Sequence, residues 1–437
     1  MAGEQPTLVA GNPQTLVGRR VDNHEDLLWP RLLGDPRTPG PIGLREHLAR
    51  YGSVPVYPSS GELIDLVRRA GLQGRGGSRF PTARKLESVA CQPGRPIVVA
   101  NGTEGEPASS KDKVLLARSP HLVLDGVAAA ARAVGAAEAI VVCNPAVREI
   151  ADQALAERRR ASLDGVSIVV ATAADGFVAG EARAVVQWLE RGTPVPTASP
   201  ARLSERGLHG RPTLVNNVET LAHFSLISRY GPDWFRALGT PAEPGSMLVT
   251  VLGAVRSPGV FEIPIGAAME DVLAVADGVA ADPQALLLGG YFGTWVSWQM
   301  AARRPFSREG LSPVAADPGA GLVAVLPRGA CGLAETARVV RYLAGESAGQ
   351  CGPCVFGLPA IAREFEQVAM GGRSDLARLQ RWLTQVDGRG ACSHPDGVAR
   401  LARSALRVFA SEVDRHSRGR CSASGPSRFL PVPASRQ

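Results

Sequence analysis

The spacing of hydrophobic positions changes several times along the chain. Pro96–Asn101 (PIVVAN), Ala139–Cys143 and Val166–Thr172 are short apolar runs bounded by turn residues, and they read as buried strands. Between and after them, apolar residues recur every three or four positions. Ser119-Pro120 supplies an N-cap and a first-turn proline for a helix through Val134. Ala146–Ser162 and Gly180–Arg191 read as two further helices. Strand and helix alternating three times predicts an α/β fold with a parallel sheet covered on both faces. Ligands in such sheets bind beyond the C-terminal strand ends.

Ahead of this run, Ser59 and Glu62 form a capping box for a helix through Leu63, Leu66, Val67 and Ala70, which Gly71 ends. Residues 1–57 read as an irregular leader with a short helix near Leu44–Tyr51. Thr193–Gly210 reads as a connector, and the α/β domain spans 58–240. Over 241–325 the pattern shortens to the strands Met247–Leu252, Val260–Ile265 and Leu286–Leu288 and a helix Met269–Ala276, a small α+β module. From 326 to 414 the period is helical, broken at Gly345–Pro353, Gly371–Arg373 and Gly388–Gly397, as in a helical bundle. Residues 415–437 read as a disordered basic tail.

Composition adds little to this division. Hydrophobic residues are 45% and charged residues 20%, as in ordinary globular proteins. The net charge of +7 hints at nucleic acid, but residues 415–437 alone hold five arginines and no acid. A solvated tail explains the excess, and no nucleic-acid surface is expected. No apolar run is long enough to span a bilayer, and the N-terminus lacks a signal-peptide core, so a cytoplasmic location is expected. Seven cysteines then read as metal ligands, redox groups or buried apolar residues rather than as disulfides.

The segment Gly71–Lys85, GLQGRGGSRFPTARK, stands out. Gly74, Gly76 and Gly77 let the backbone approach a ligand, and successive amides in such a loop form an anion-binding concavity. Arg75 and Lys85 add positive charge. The segment reads as a phosphate cradle or as a glycine-rich surface turn. Polar loops follow the first and third strands, where Glu104, Glu106 and Glu181 each read first as ordinary loop carboxylates and, as a set, as groups placed to meet ribose or amides. Asn216-Asn217 precedes a helix, with amides for capping or for a ligand.

In this order, these segments resemble the NADH-binding flavoprotein subunit of respiratory NADH–quinone oxidoreductase, a family shared with NAD-linked hydrogenases and formate dehydrogenases. The resemblance covers residues 58–415. The glycine loop is similar to the family's GRGGAGFPTGxKW, NGTEGEPASSKDK to NADESEPGTFKDR, and ESAGQCGPC to ESCGxCxPC, while GLHGRPTLVNNVETL is nearly identical to the family pattern. The resemblance implies a Rossmann-like FMN-binding domain, a ubiquitin-like module and a helical bundle with an iron–sulfur segment. It implies cofactor-binding roles for Gly74, Arg75, Gly76, Gly77, Phe80, Lys85, Asn101, Glu104, Phe177, Gly180, Asn216, Asn217 and Thr220. It implies catalytic roles at the nicotinamide for Glu106 and Glu181. The activity implied is oxidation of NADH or NADPH through FMN to an iron–sulfur cluster and on to a ferredoxin-like or other electron-transfer subunit. Such a chain is not itself membrane-spanning and is held to the inner face of the membrane, if at all, through its partners.

Several positions depart from the family pattern. Ala348 replaces the first of four cluster cysteines, leaving Cys351, Cys354 and Cys392. Ala182 replaces the second glutamate of the family's GEE, followed by Arg183. Phe177 stands for a tyrosine, Thr103 for an aspartate, Arg79 for a glycine and Arg202 for an aromatic residue at the adenine. Arg183 and Arg202 leave room for the extra phosphate of NADPH. Three thiolates suffice for a [3Fe–4S] cluster. A [4Fe–4S] cluster would take a fourth ligand from Cys331 or His394, and Cys₃His zinc or a Cys351–Cys354 dithiol is also chemically reasonable. Cys91, Cys143 and Cys421 read as inert. A second reading keeps the flavin fold as a non-catalytic redox relay or docking protein for a ferredoxin-like partner.

Overall fold

The computed structural model describes residues 29–35, 40–423 and 428–433. Most of the segment read as an irregular leader lies outside these residues. Its short helix is present as α1 (Leu44–Tyr51). Helix α2 (Ser60–Ala70) starts at Ser59, whose side chain accepts from the Glu62 amide, and ends at left-handed Gly71.

The first sheet has four parallel strands: β1 (Ile97–Gly102), β2 (Glu138–Cys143), β3 (Ser167–Thr172) and β4 (Thr213–Asn217), in the order β3-β2-β1-β4. Helices α3 (Thr82–Ala90), α4 (Lys111–Arg118), α5 (Pro120–Val134), α6 (Arg148–Arg160), α7 (Ala182–Arg191) and α8 (Val218–Arg236) cover it. The chain runs outward from β1 to β2 and β3, then returns to place β4 on the other side of β1. Asn101 pairs with Asn217 in register. This reversal makes the space beyond the ends of β1 and β4 a topological switch point, the place where open α/β sheets bind ligands.

The second sheet is mixed: β5 (Ser246–Gly253), β6 (Gly259–Pro264), β7 (Pro283–Leu288), β8 (Thr294–Ser297) and β9 (Leu322–Pro327), ordered β6-β5-β9-β7-β8. Helix α9 (Met269–Ala274) packs on it around Met269, Val272 and Leu273. The bundle follows as α10 (Gly332–Gly345), α11 (Leu358–Met370), α12 (Leu376–Val386), α13 (His394–Val408) and α14 (Ala410–His416).

Five of these elements, β4, β8, β9, α3 and α4, were absent from the sequence reading. Strand β4 is five residues long and follows a Pro- and Ser-rich connector, so its apolar core, Leu214 and Val215, is too short to show as a period. Helices α3 and α4 open on polar residues that looked like loop. The segment beyond 415, expected to be a solvated tail, is exposed over 417–422 but packed near its far end. Leu430 is 2% exposed and donates its amide to Glu335, and Tyr291 donates its hydroxyl to the Pro431 carbonyl. One leucine and a set of backbone bonds outweigh the basic composition there.

Among the described residues no single helix is long and apolar enough to cross a membrane. Helices α4 and α5 together have the length, but they meet at 97° and lie in the core.

Candidate functional site

Three loops meet at the switch point. The glycine loop is closed at its base by Gly74 N–H to the Phe80 carbonyl (3.0 Å) and Thr82 N–H to the Leu72 carbonyl (2.9 Å). Its Arg75 amide donates to Thr220 Oγ1 at 2.8 Å, which fastens it to α8. A side chain at Gly76 would start 3.3 Å from the Asn217 Cβ, tighter than ordinary contact. The loop after β1 lies against the one before α7: a Cβ on Gly105 would stand 2.6 Å from the Phe177 carbonyl oxygen. Asn101 Nδ2 donates to the Gly180 carbonyl (2.9 Å), joining the same two loops.

Most of the residues singled out from sequence therefore hold the loops. Asn217 caps α8 through its Oδ1 and donates from Nδ2 to Asp112 (2.6 Å) and to the Asn101 carbonyl. Glu104, in left-handed backbone, accepts from the amides of Asp112 and Lys113 and from Ser109 Oγ, so it caps α4. Glu181 caps α7 by accepting from the Arg183 and Ala184 amides. The Arg75 guanidinium is buried against the Gln73 and Pro244 carbonyls. Phe80 is 49% exposed and stands at the mouth of the loop. Lys85 donates to the Val215 carbonyl in the middle of β4, and burial pushes its pKa down to about 8.

Other polar atoms are buried without a hydrogen-bond partner: Thr103 Oγ1, Glu106 Oε1 and the Asn216 amide nitrogen. They come from the loops beyond β1 and from the end of β4. A donor amide, a carboxylate and a hydroxyl left unsatisfied in one region each carry a desolvation cost of about 1–3 kcal/mol unless something bonds to them. A planar heterocycle edged with C=O and N–H groups fits that set, and the Gly76 and Gly105 approaches leave its cradle free of side chains. Flavin mononucleotide is such a group.

Glu106 also joins the two sheets, since its Oε2 accepts from the Tyr291 amide at 2.8 Å. Burial raises its pKa to about 7, and burial does the same to Glu262 on β6. A raised carboxyl pKa means that the folded chain holds protons the unfolded chain has released. Stability from these groups is therefore present at pH 4.5 and lost as pH rises to about 7. Replacing Glu106 with glutamine removes one of the two contributions, on the order of 1–3 kcal/mol. Thermal unfolding midpoints of the wild type should fall between pH 5 and 7, and those of Glu106→Gln should fall less. Parallel curves would show that Glu106 does not titrate in that window.

Beside Glu106 lies an aromatic group that sequence reasoning did not find. Phe177 packs on Phe292 (ring centroids 4.7 Å), Tyr291 (6.5 Å) and His394 (5.9 Å). The signal was Tyr291-Phe292 directly after the paired glycines that end β7. Sequence also missed the role of Arg79. Its φ of 52° is the left-handed conformation that suits glycine. The guanidinium is buried, ion-paired with Glu243 and 3.6 Å from Asp317, so it ties the glycine loop to the second sheet.

A cleft of about 510 Å³ is lined by Phe177, Glu181, Arg183, Cys392 and His394 together with residues 196–199. The cysteines sit at this end of the bundle. Cys354 lies on a wide helical turn, Pro353–Gly357, and Cys351 just precedes it. Burial pushes the Cys351 thiol up, but bonds from the Ala391 and Cys354 amides and the Cys354 thiol outweigh it, and the net shift is downward. Cys354 is pushed up to about 12 by burial and by the neighbouring sulfurs of Cys351 and Cys392, and burial raises Cys392. Cys354 feels the charge of both other sulfurs, so the three thiols share one region, and thiolates are what a metal centre binds. The set fits an iron–sulfur group held by three cysteines.

The two expected fourth ligands differ. Cys331 does not swing in: its sulfur lies 3.6 Å from His416 Nε2. His394 bonds the Leu343 carbonyl through Nε2 at 2.7 Å, and its Nδ1 is buried without a hydrogen-bond partner. Ala348 offers no ligand atom.

Comparison with known proteins points the same way. Residues 67–225 match the Nuo51 FMN-binding domain family, and residues 334–416 match the NADH-ubiquinone oxidoreductase-F iron-sulfur binding region. The F 2 polypeptide of the NADH-quinone oxidoreductase of Rhizobium meliloti is 30% identical over 81% of this chain and 88% of its own length. The alpha polypeptide of the NAD-reducing hydrogenase HoxS of Cupriavidus necator is 30% identical over 81% of this chain and 61% of its own length. A chain of an NAD+-reducing [NiFe]-hydrogenase, solved in the air-oxidized state, superposes with a TM-score of 0.77 at 32% identity, covering 88% of this chain and 68% of that one. With the two matched regions falling on the sheet that carries the glycine loop and on the bundle that carries the thiols, the chain belongs to the family of FMN-binding, iron–sulfur F polypeptides of NADH–quinone oxidoreductase and their hydrogenase relatives.

Proposed function

We propose that this chain oxidises NADH at the switch point of its first sheet and passes the electrons, through the Cys351, Cys354 and Cys392 centre, to a partner subunit. The observation that carries the reading is the shared cleft: Phe177 and Glu181 from the first domain and Cys392 from the bundle line the same opening. When bound, FMN supplies a carrier that takes two electrons at once and releases them singly, and the iron–sulfur group supplies a one-electron outlet. The chain's own residues position and charge the site. The Gly74–Gly77 backbone and Lys85 receive the phosphate. Asn216, Thr103 and Glu106 bond the ring edge. Phe177 and Phe292 wall off water, and Arg183, anchored to the Ala201 carbonyl at 2.9 Å, presents a cation to the nucleotide.

For the partner, the support is an exposed apolar patch beside a ligand. Phe356 is 76% exposed, two residues from buried Cys354, with Val355 next to it. Exposed aromatics of that kind mark interaction sites, and a small ferredoxin-like electron carrier suits a patch next to a redox centre.

The test is ferricyanide reduction by FMN-saturated protein, with NADH and NADPH compared. A preference for NADPH would assign Arg183 to its extra phosphate, and no turnover with either nucleotide would leave the relay reading. Lys85→Met should weaken FMN binding by roughly tenfold to a hundredfold, the worth of a charged hydrogen bond to phosphate, while riboflavin binding stays unchanged. An equal loss for both flavins would move Lys85 away from the phosphate.

A further inference from the structure

The iron–sulfur reading leaves one sulfur- and nitrogen-rich cluster unused. Among the described residues, the ligand atoms of Cys331, Glu412, His416 and Cys421 all lie within 4.8 Å of one another. They come from three places in the chain. Cys331 is the N-cap of α10, Glu412 and His416 lie one turn apart on α14, and Cys421 follows the turn at Gly419. We propose that these four side chains bind a single zinc ion, a structural site separate from the Cys351, Cys354 and Cys392 centre.

The orientation of the groups supports a metal. His416 Nδ1 faces the Val368 carbonyl at 3.3 Å, which makes it the donor nitrogen and leaves the Nε2 lone pair free. Nε2 points to Cys331 Sγ at 3.6 Å and to Glu412 Oε1 at 3.3 Å. A metal-binding histidine characteristically gives its other N–H to a carbonyl or carboxylate in this way. The Glu412 carboxylate is held by the Ser422 amide (2.7 Å) and hydroxyl (2.6 Å). In a tetrahedral zinc site, with Zn–S of about 2.3 Å and Zn–N of about 2.0 Å, neighbouring ligand atoms stand about 3.3–3.8 Å apart. Two of the separations here are already in or near that range, and the others need a contraction of about 1 Å or less. Two thiolates, an imidazole and a carboxylate suit zinc better than the harder divalent ions. On binding, Zn²⁺ takes the place of the two thiol protons, which pass to solvent, and no electrons move.

The site would staple the C-terminal segment to the bundle. Cys331 begins α10, and Cys421 leads into the strap whose Leu430 bonds to Glu335 and Arg338 and whose Pro431 receives the Tyr291 hydroxyl. Tyr291 is the residue whose amide holds Glu106. Zinc would thus fix the outer wall behind the aromatic group.

The experiment uses the full chain, purified without oxygen, with zinc and iron measured per chain. About one zinc should survive gel filtration, and Cys331→Ser/Cys421→Ser should lose it while iron stays at the wild-type level. Cys392→Ser should do the reverse, so failure of this proposal and failure of the iron–sulfur reading are separable. Because the double variant carries the risk of misfolding, wild-type protein stripped of zinc is also loaded with cobalt(II) chloride. Strong visible bands of tetrahedral cobalt with near-ultraviolet thiolate charge transfer are expected. Absence of both zinc and these bands in the wild type, zinc retained by the double variant, or a Cys331–Cys421 disulfide in the anaerobic protein would each overturn the proposal.

Discussion

Lys111→Met should destabilise the fold by about 3–5 kcal/mol, the cost of leaving a buried charge without its partner. Lys111 Nζ donates to Asp112 Oδ1 at 3.0 Å and to Glu219 Oε2 at 2.7 Å, and all three residues are buried. Burial by itself would push the lysine pKa down, but the two carboxylates overturn that and hold it above its ordinary value. Methionine fills a similar volume and removes only the charge, so packing loss is a minor part of the effect. Asp112 also receives the Asn217 amide that steadies the end of β4, and FMN affinity should fall along with stability. Adding Glu219→Gln to the Lys111→Met chain should recover part of the loss, because the amide carries no unpaired charge. Urea unfolding of the two variants decides the matter. A Lys111→Met midpoint equal to that of the wild type would mean that water reaches the pair and that it is not a buried network.

The second large effect is compositional. Cys354→Ser and Cys392→Ser should each reduce iron to background while leaving FMN content near the wild-type level. A three-thiolate set has no thiol in reserve: Cys331 faces His416, and Cys143 lies in the core of the first sheet. Elemental analysis with the visible spectrum reads the outcome. Iron at the wild-type level in either variant would dismiss these sulfurs as the ligands. Ala348→Cys, which restores the family's fourth position, should raise iron per chain above that of the wild type.

How much of this was legible in the sequence depended on whether the cause was local. The capping box at Ser59 and the apolar runs of β1, β2 and β3 are written in neighbouring residues, and the structure has them within two residues of the expected bounds. Helix α4 was not legible, because its first residues, Lys111-Asp112-Lys113, look like a solvated loop. Lys111 and Asp112 are buried only because Glu219, more than a hundred residues away, is there to pair with them. Glu104, Asn217 and Glu181 were expected at a ligand, and each spends its side chain on a helix cap. The residue types were right for the region, but the division between scaffold and contact is set by loops that meet only in three dimensions. Arg79 reads as a departure from a glycine, and nothing local shows that Glu243 and Asp317 wait to receive it. Cys421 reads as inert because its neighbours are those of a tail, and its company, Cys331 and His416, is again distant in sequence or hidden by the turn between them.

Glu219 has one more bond: its Oε1 accepts the Leu248 amide of β5 at 2.8 Å. The same carboxylate therefore caps a charge network under the first sheet and completes a backbone group of the second. A change of sequence pattern marks residue 240 as a seam between modules, but the energetics do not respect it. Freed from β5, Glu219 would have an open lone pair in a dry site; freed from Glu219, β5 would have an unsatisfied amide. The two sheets are thus tied through one buried carboxylate, and its loss would leave an unmet polar group on each side of the seam.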